Sequence, residues 1–89
     1  MARTLLMGAE EALPTNTGTA TSFSQASAVR LVNNSATASL VTVVETQSGN
    51  VVGSMTLPGN AVEIIEKQYT HCVFAANTSV RGAKVGFTA

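Results

Sequence analysis

The sequence predicts a small all-β protein, an antiparallel β-sandwich of Ig-like or jelly-roll-like design with about seven short strands. Three observations lead there. Runs of Val, Ile, Leu and Thr alternate with polar residues at a period of two, as in AVRLVNN at 28–34. Turn-forming groups (Asn-Asn, Ser-Gly-Asn, Pro-Gly) punctuate those runs at short intervals. No stretch carries the 3.6-residue periodicity of a long helix, so the crossover helices of a parallel α/β sheet cannot be supplied.

Residues 1–14 stand apart. Leu5, Leu6, Met7, Ala9, Ala12 and Leu13 are interrupted by Gly8 and stopped by Pro14, which leaves room for one helical turn over 9–13 at most. This segment reads as an N-terminal arm, with 15–89 as the single β-sandwich domain; a tail packed on its own domain is the alternative. As an arm it is dispensable for folding, so a chain lacking 1–13 is expected to fold. The Thr-rich stretch 15–25 has little apolar content and reads as an exposed or edge strand.

The strands that follow are better marked. In 28–34, Val29 and Leu31 turn inward against Arg30, and the Asn pair closes the run. The run 38–46 is the most β-prone and reads as a central strand buried on much of both faces. A turn at 47–50 allows a positive φ at Gly49 or Asn50. In 51–57, Val51, Met55 and Leu57 share one face, with Ser54 and Thr56 on the other. Pro58-Gly59 fits the centre of a type II turn. Strands at 61–68, 71–76 and 83–88 complete the series, the last two joined by a polar loop at 77–82.

Composition narrows the function. The chain has 89 residues, one core's worth, and only 11% are charged where about 25% is usual. Ser and Thr take over much of the surface that charge normally occupies. Five basic residues balance five acidic ones, and Arg3, Arg30, Lys67, Arg81 and Lys84 are scattered, which argues against a nucleic-acid partner. No stretch approaches the roughly 20 apolar residues of a membrane span. Cys72 is the sole cysteine, so no intrachain disulfide forms.

Parts for catalysis are scarce. There is no Asp, hence no Asp-assisted triad and no EF-hand loop. The single His71 adjoins Cys72, and neighbours on a strand point to opposite faces. The same holds for Glu63 and Glu66, three apart. Two candidate zinc ligands fall short of four, and the glycines lack a phosphate-loop pattern. No enzyme activity, metal or cofactor is expected.

Binding by assembly fits better. The candidate contacts are Arg3, Leu5, Leu6 and Met7 in the arm, and Thr17, Thr19 and Thr21 along the Thr-rich edge. An edge strand offers unpaired N–H and C=O groups, and an apolar arm suits a groove on a neighbouring subunit.

Three segments also suggest a family: VRLVNNSATASLVTVVE from Val29, MTLPGNAVEIIEKQ from Met55 and VFAANTSVRGAKVGFT from Val73. Over about two-thirds of the chain they resemble small virion structural proteins of tailed phages, particularly marine cyanobacterial phages. The resemblance implies a decoration or cement protein on the capsid exterior, made in the host cytoplasm. Its partners would be the major capsid protein or other virion subunits, and it would act as a homo-oligomer or in many copies. A tail, neck or fibre subunit is the alternative setting. A carbohydrate-binding surface module is a third, disfavoured because so few aromatics are present to stack on sugars.

Overall fold

The computed structural model describes residues 3–88 and is all-β, with two antiparallel sheets packed as a sandwich. The strands are β1 (Arg3–Leu6), β2 (Glu11–Ala12), β3 (Ala28–Asn33), β4 (Ser39–Val44), β5 (Val51–Leu57), β6 (Val62–Glu66), β7 (Cys72–Ala75) and β8 (Val80–Thr88). The larger sheet has the order β1-β8-β3-β6, with β2 beside β1 along the same edge of β8. The smaller sheet has the order β5-β4-β7.

The core lies where the inward residues of both sheets meet. Val29 and Leu31 of β3, Val80 of β8, Val41 of β4, Leu57 of β5 and Val73 and Ala75 of β7 are buried together with Leu13 and Phe23. Burial of this kind is the main stabilising term in a chain this small. Phe23 lies over β8 so closely that a Cβ on Gly82 would come within 2.7 Å of its ring, which is why that strand position has no side chain. A second, smaller cluster of Ala20, Val44 and Cys72, with Phe74 against it, forms on the outer side of the smaller sheet. Strand β4 is therefore buried on much of both faces, as its sequence suggested.

At one end of the sandwich the chain crosses between sheets three times, after β3, β5 and β7. Such crossings break the strand ladders and would leave backbone groups unpaired in the interior. The side chain of Asn33, fully buried, collects them. Its Nδ2 donates to the carbonyls of Thr37 (2.8 Å) and Leu57 (3.0 Å), while its Oδ1 accepts from the Ser35 amide (3.2 Å) and the Ser79 hydroxyl (3.3 Å). One amide thus joins all three crossings.

Several expectations are corrected. Residues 3–12 do not stand off as an arm, and no helical turn forms over 9–13: Arg3–Leu6 and Glu11–Ala12 pair along β8. Beyond them the Leu13 amide bonds to the Val80 carbonyl, and the Pro14 carbonyl accepts from the Ala75 amide. Those two residues strap the sheets together, with Leu13 only 1% exposed. The stretch 15–25 is not an edge strand. Its hydroxyl and amide side chains bond their own backbone, which competes with ladder formation. It forms a 3-10 turn at Thr17–Thr19, a single bridge from Thr21 to Val73, and a left-handed turn with positive φ at Phe23, Ser24 and Gln25.

Turn details shift too. The positive φ of the 47–50 turn falls on Ser48, and that of the Pro-Gly turn on Asn60, whose neighbour Ala61 donates to the Pro58 carbonyl. Gly59 is needed for closeness instead, since a Cβ there would lie 2.3 Å from the Ala36 carbonyl oxygen. A bulge in β5 shifts the pairing from Val43–Gly53 to Val44–Val51. It turns Val51 to the face opposite Met55 and Leu57 and leaves it 65% exposed.

Two consequences can be measured by denaturant unfolding. Asn33→Asp removes both donors and sets a carboxylate against two carbonyls, so it should cost about 3 kcal/mol or more at neutral pH. Part of that loss should return in acid, when the protonated acid donates again. Leu13→Ala should cost about 3 kcal/mol, whereas deletion of residues 1–7 should leave a cooperative transition.

Candidate assembly surface

An antiparallel sheet with one face on the core normally shows polar residues to solvent. The larger sheet does not. Pairing registers place Ala28, Arg30 and Val32 of β3, Val62, Ile64 and Glu66 of β6, and Ala83, Val85 and Phe87 of β8 on its outer face, with Thr4 and Leu6 of β1. Apolar side chains dominate this set. Leu6, Phe87, Val62 and Ile64 are 71%, 53%, 46% and 40% exposed. Between them the small residues Ala28, Ala83 and Val85 are sheltered, and Phe87 and Ile64 line one depression with Ala28 in it. Arg81 contributes charge at the margin, paired with Glu10 at 2.9 Å in a half-exposed bridge that adds little stability.

A second feature lies on the flank formed by β5 and β6. The Leu13–Pro14 strap closes the opposite flank, where β7 and β8 are joined. Nothing among the described residues straps β5 to β6 in the same way, and a groove of about 390 Å³ opens between them. Val41, Val43, Val52, Met55 and Ile65 give it an apolar floor, with His71 on its wall. Both flanking strands are sheet edges, so the groove runs between two rows of backbone groups available to an added strand.

Lys67 sits at the polar end of this groove and is buried. Its Nζ donates to the carbonyls of Ala26 (2.7 Å) and Gln68 (3.3 Å). Burial pushes its pKa below the ordinary lysine value; Cys72 opposes that shift and Lys84 adds to it. The amine is thereby committed to closing the turn beneath β3 and β6.

The residues singled out from sequence fall into two separate groups. Arg3, Leu5, Leu6 and Met7 lie on or just after β1 and are all exposed, with Leu5 and Leu6 on opposite faces of the strand. Thr17, Thr19 and Thr21 lie beside β7 of the smaller sheet instead. Thr17 and Thr19 belong to the 3-10 turn and Thr21 is bridged to Val73, with both its backbone groups bonded there. The structure thus keeps the first group as an open surface and absorbs much of the second into the fold.

Sequence reasoning missed the outer face and the groove. The signal was present: VEIIE carries apolar residues at both strand parities, more than one buried face can use, and the apolar parity of AKVGF is the one that pairing turns outward. Chemically, the surface offers apolar area and open strand edges. His71 and Cys72 do point apart, one to the groove and the other into the second cluster. Among the described residues no three metal-ligating side chains gather, and no helix is long and apolar enough to cross a membrane.

The Lys67 environment has a signed pH consequence. Its folded pKa lies below 10.5, so between the folded and unfolded values the unfolded chain binds more protons and stability rises with pH. The unfolding free energy relative to Lys67→Met should therefore grow from neutral pH toward 10.5. A flat difference would mean that the amine is as well solvated as in a free chain. No protein-family model, curated protein or solved structure matches this chain, so its surfaces carry the functional argument.

Proposed function

We propose that this protein is a non-enzymatic structural subunit that works by adhering to other protein subunits, and that it decorates or cements a phage capsid by binding between capsid subunits. The observation that carries the adhesive part is the apolar outer face of the larger sheet, where Leu6, Val62, Ile64 and Phe87 are exposed. Exposed apolar side chains gathered on one face, with Ile64 and Phe87 lining a shared depression, mark binding surfaces. A charged fraction of 11% and zero formal net charge let many copies crowd together without long-range repulsion. The virion setting is supported by the resemblance of residues 29–88 to small phage virion proteins. Many modest contacts per particle then sum through multivalency.

The test is to mix the purified protein with emptied capsids that lack it. Saturable binding at micromolar concentration is expected. Phe87→Lys and Ile64→Lys, both at exposed positions, should each weaken binding about tenfold, because one large apolar contact contributes roughly 1.5 kcal/mol or more. Their unfolding transitions should stay close to that of the native chain. Absence of binding, or binding by both variants as tight as that of the native chain, would overturn the proposal.

A further inference from the structure

We infer that the two edges of the larger sheet are made for each other, so that β1 of one copy adds to β6 of the next and the chain assembles head to tail. The inference rests on the adhesive reading above and names a second copy of this chain as a partner.

Strand direction permits it. β6 is antiparallel to β3, β3 to β8, and β8 to β1. β6 and β1 therefore run in opposite directions at the two ends of one sheet. A second copy placed beside the first in the same orientation brings its β1 antiparallel to β6, with outer face continuing into outer face. The joined sheet keeps one uninterrupted antiparallel pattern.

The side chains agree with that placement. A register setting Leu6 opposite Val62 and Thr4 opposite Ile64 uses all of β1 and keeps outer residues together, because pairing preserves the face. It joins the exposed Leu6 (71%) to the exposed Val62 (46%). On the other side, Leu5 meets Glu63 and Arg3 meets Ile65, which puts Arg3 diagonal to Glu63, within reach of a long side chain. The charges are complementary: β1 carries Arg3 and no acid, while β6 carries Glu63 and Glu66 and no base. Sliding two residues the other way would set Arg3 against Lys67, which disfavours that register.

Unequal sheets supply the reason for a partner. The smaller sheet has three strands and the larger has five, so β1 overhangs. Leu5 and Met7, on the core-side parity of β1, are 48% and 51% exposed. On the opposite flank the groove beside β6 has an apolar floor including Ile65 and Met55. Head-to-tail pairing brings the overhanging Leu5 and Met7 to that flank. Because the contact is heterologous, it propagates into a ring or a filament instead of stopping at a dimer.

Disulfide trapping tests the contact. Leu6→Cys and Val62→Cys chains are prepared separately, oxidised alone and then as a mixture, with the native chain as control for the buried Cys72. The mixture should give a cross-linked pair as its main product, and each variant alone should not. The double variant should give a ladder of higher species. No cross-link in the mixture, or cross-links within a single-variant sample, would overturn the inference, the latter by showing a two-fold edge contact. Sedimentation should also show native mass rising with concentration, and Leu6→Lys should abolish that rise. If trapping fails while capsid binding persists, only the head-to-tail contact falls. If capsid binding fails while trapping succeeds, the contact stands and the decoration proposal falls.

Discussion

The fold depends on how three crossings between sheets are held at one end, and that problem is solved by the amide of Asn33. A sandwich whose strands alternate between sheets must leave each ladder repeatedly, and each exit exposes backbone donors and acceptors. Asn has two donors and an acceptor with two lone pairs, and here all four positions are matched. Backbone bonds join the same knot: the Asn33 amide to Ala61, Asn34 to Ser79 and Asn60 to Ser35. Position along each strand is thereby set at this end, and the apolar residues between the sheets follow from it.

With that end fixed, the two flanks differ. Leu13 and Pro14 bond to both sheets on one side and bury Leu13 against Val80 and Phe23 in the same cluster. On the β5–β6 side the described residues give the turn at 58–61 and the groove below it. The larger sheet consequently has two free edges, one apolar and basic, the other apolar and acidic. A low-charge outer face completes a surface that favours protein contact over solvation. The proposed binding function and the proposed head-to-tail contact both rest on this asymmetry.

Much of the β domain was legible because its strands obey local rules. Val29 and Leu31 alternate against Arg30 as their burial requires, and β4 is apolar on both parities because two separate clusters cover it. What escaped depended on distant partners. Nothing near Leu13 in sequence says that it will strap two sheets, and an apolar segment bounded by Gly8 and Pro14 looks detachable. Thr-rich residues 15–25 suggest a strand by propensity, yet their hydroxyls capture the local backbone, and the chain must turn back sharply to deliver Phe23 to the core. Asn33 looked like an ordinary turn residue because its partners lie up to 46 positions away. The candidate surface was half legible: the exposure of Arg3, Leu5, Leu6 and Met7 could be read from sequence, while the outer face needed the pairing registers to be seen.

Backbone amide hydrogen exchange, compared between dilute protein and the assembled state, tests this picture most directly. Edge amides exchange fast until a partner covers them. In dilute solution the outward-pointing amides of Val62–Glu66 and Arg3–Leu6 should exchange rapidly while the interior of β3 and β4 is protected; on assembly both edges should slow together. Protection that appears instead over residues 15–22 beside β7, with β1 and β6 unchanged, would contradict the account.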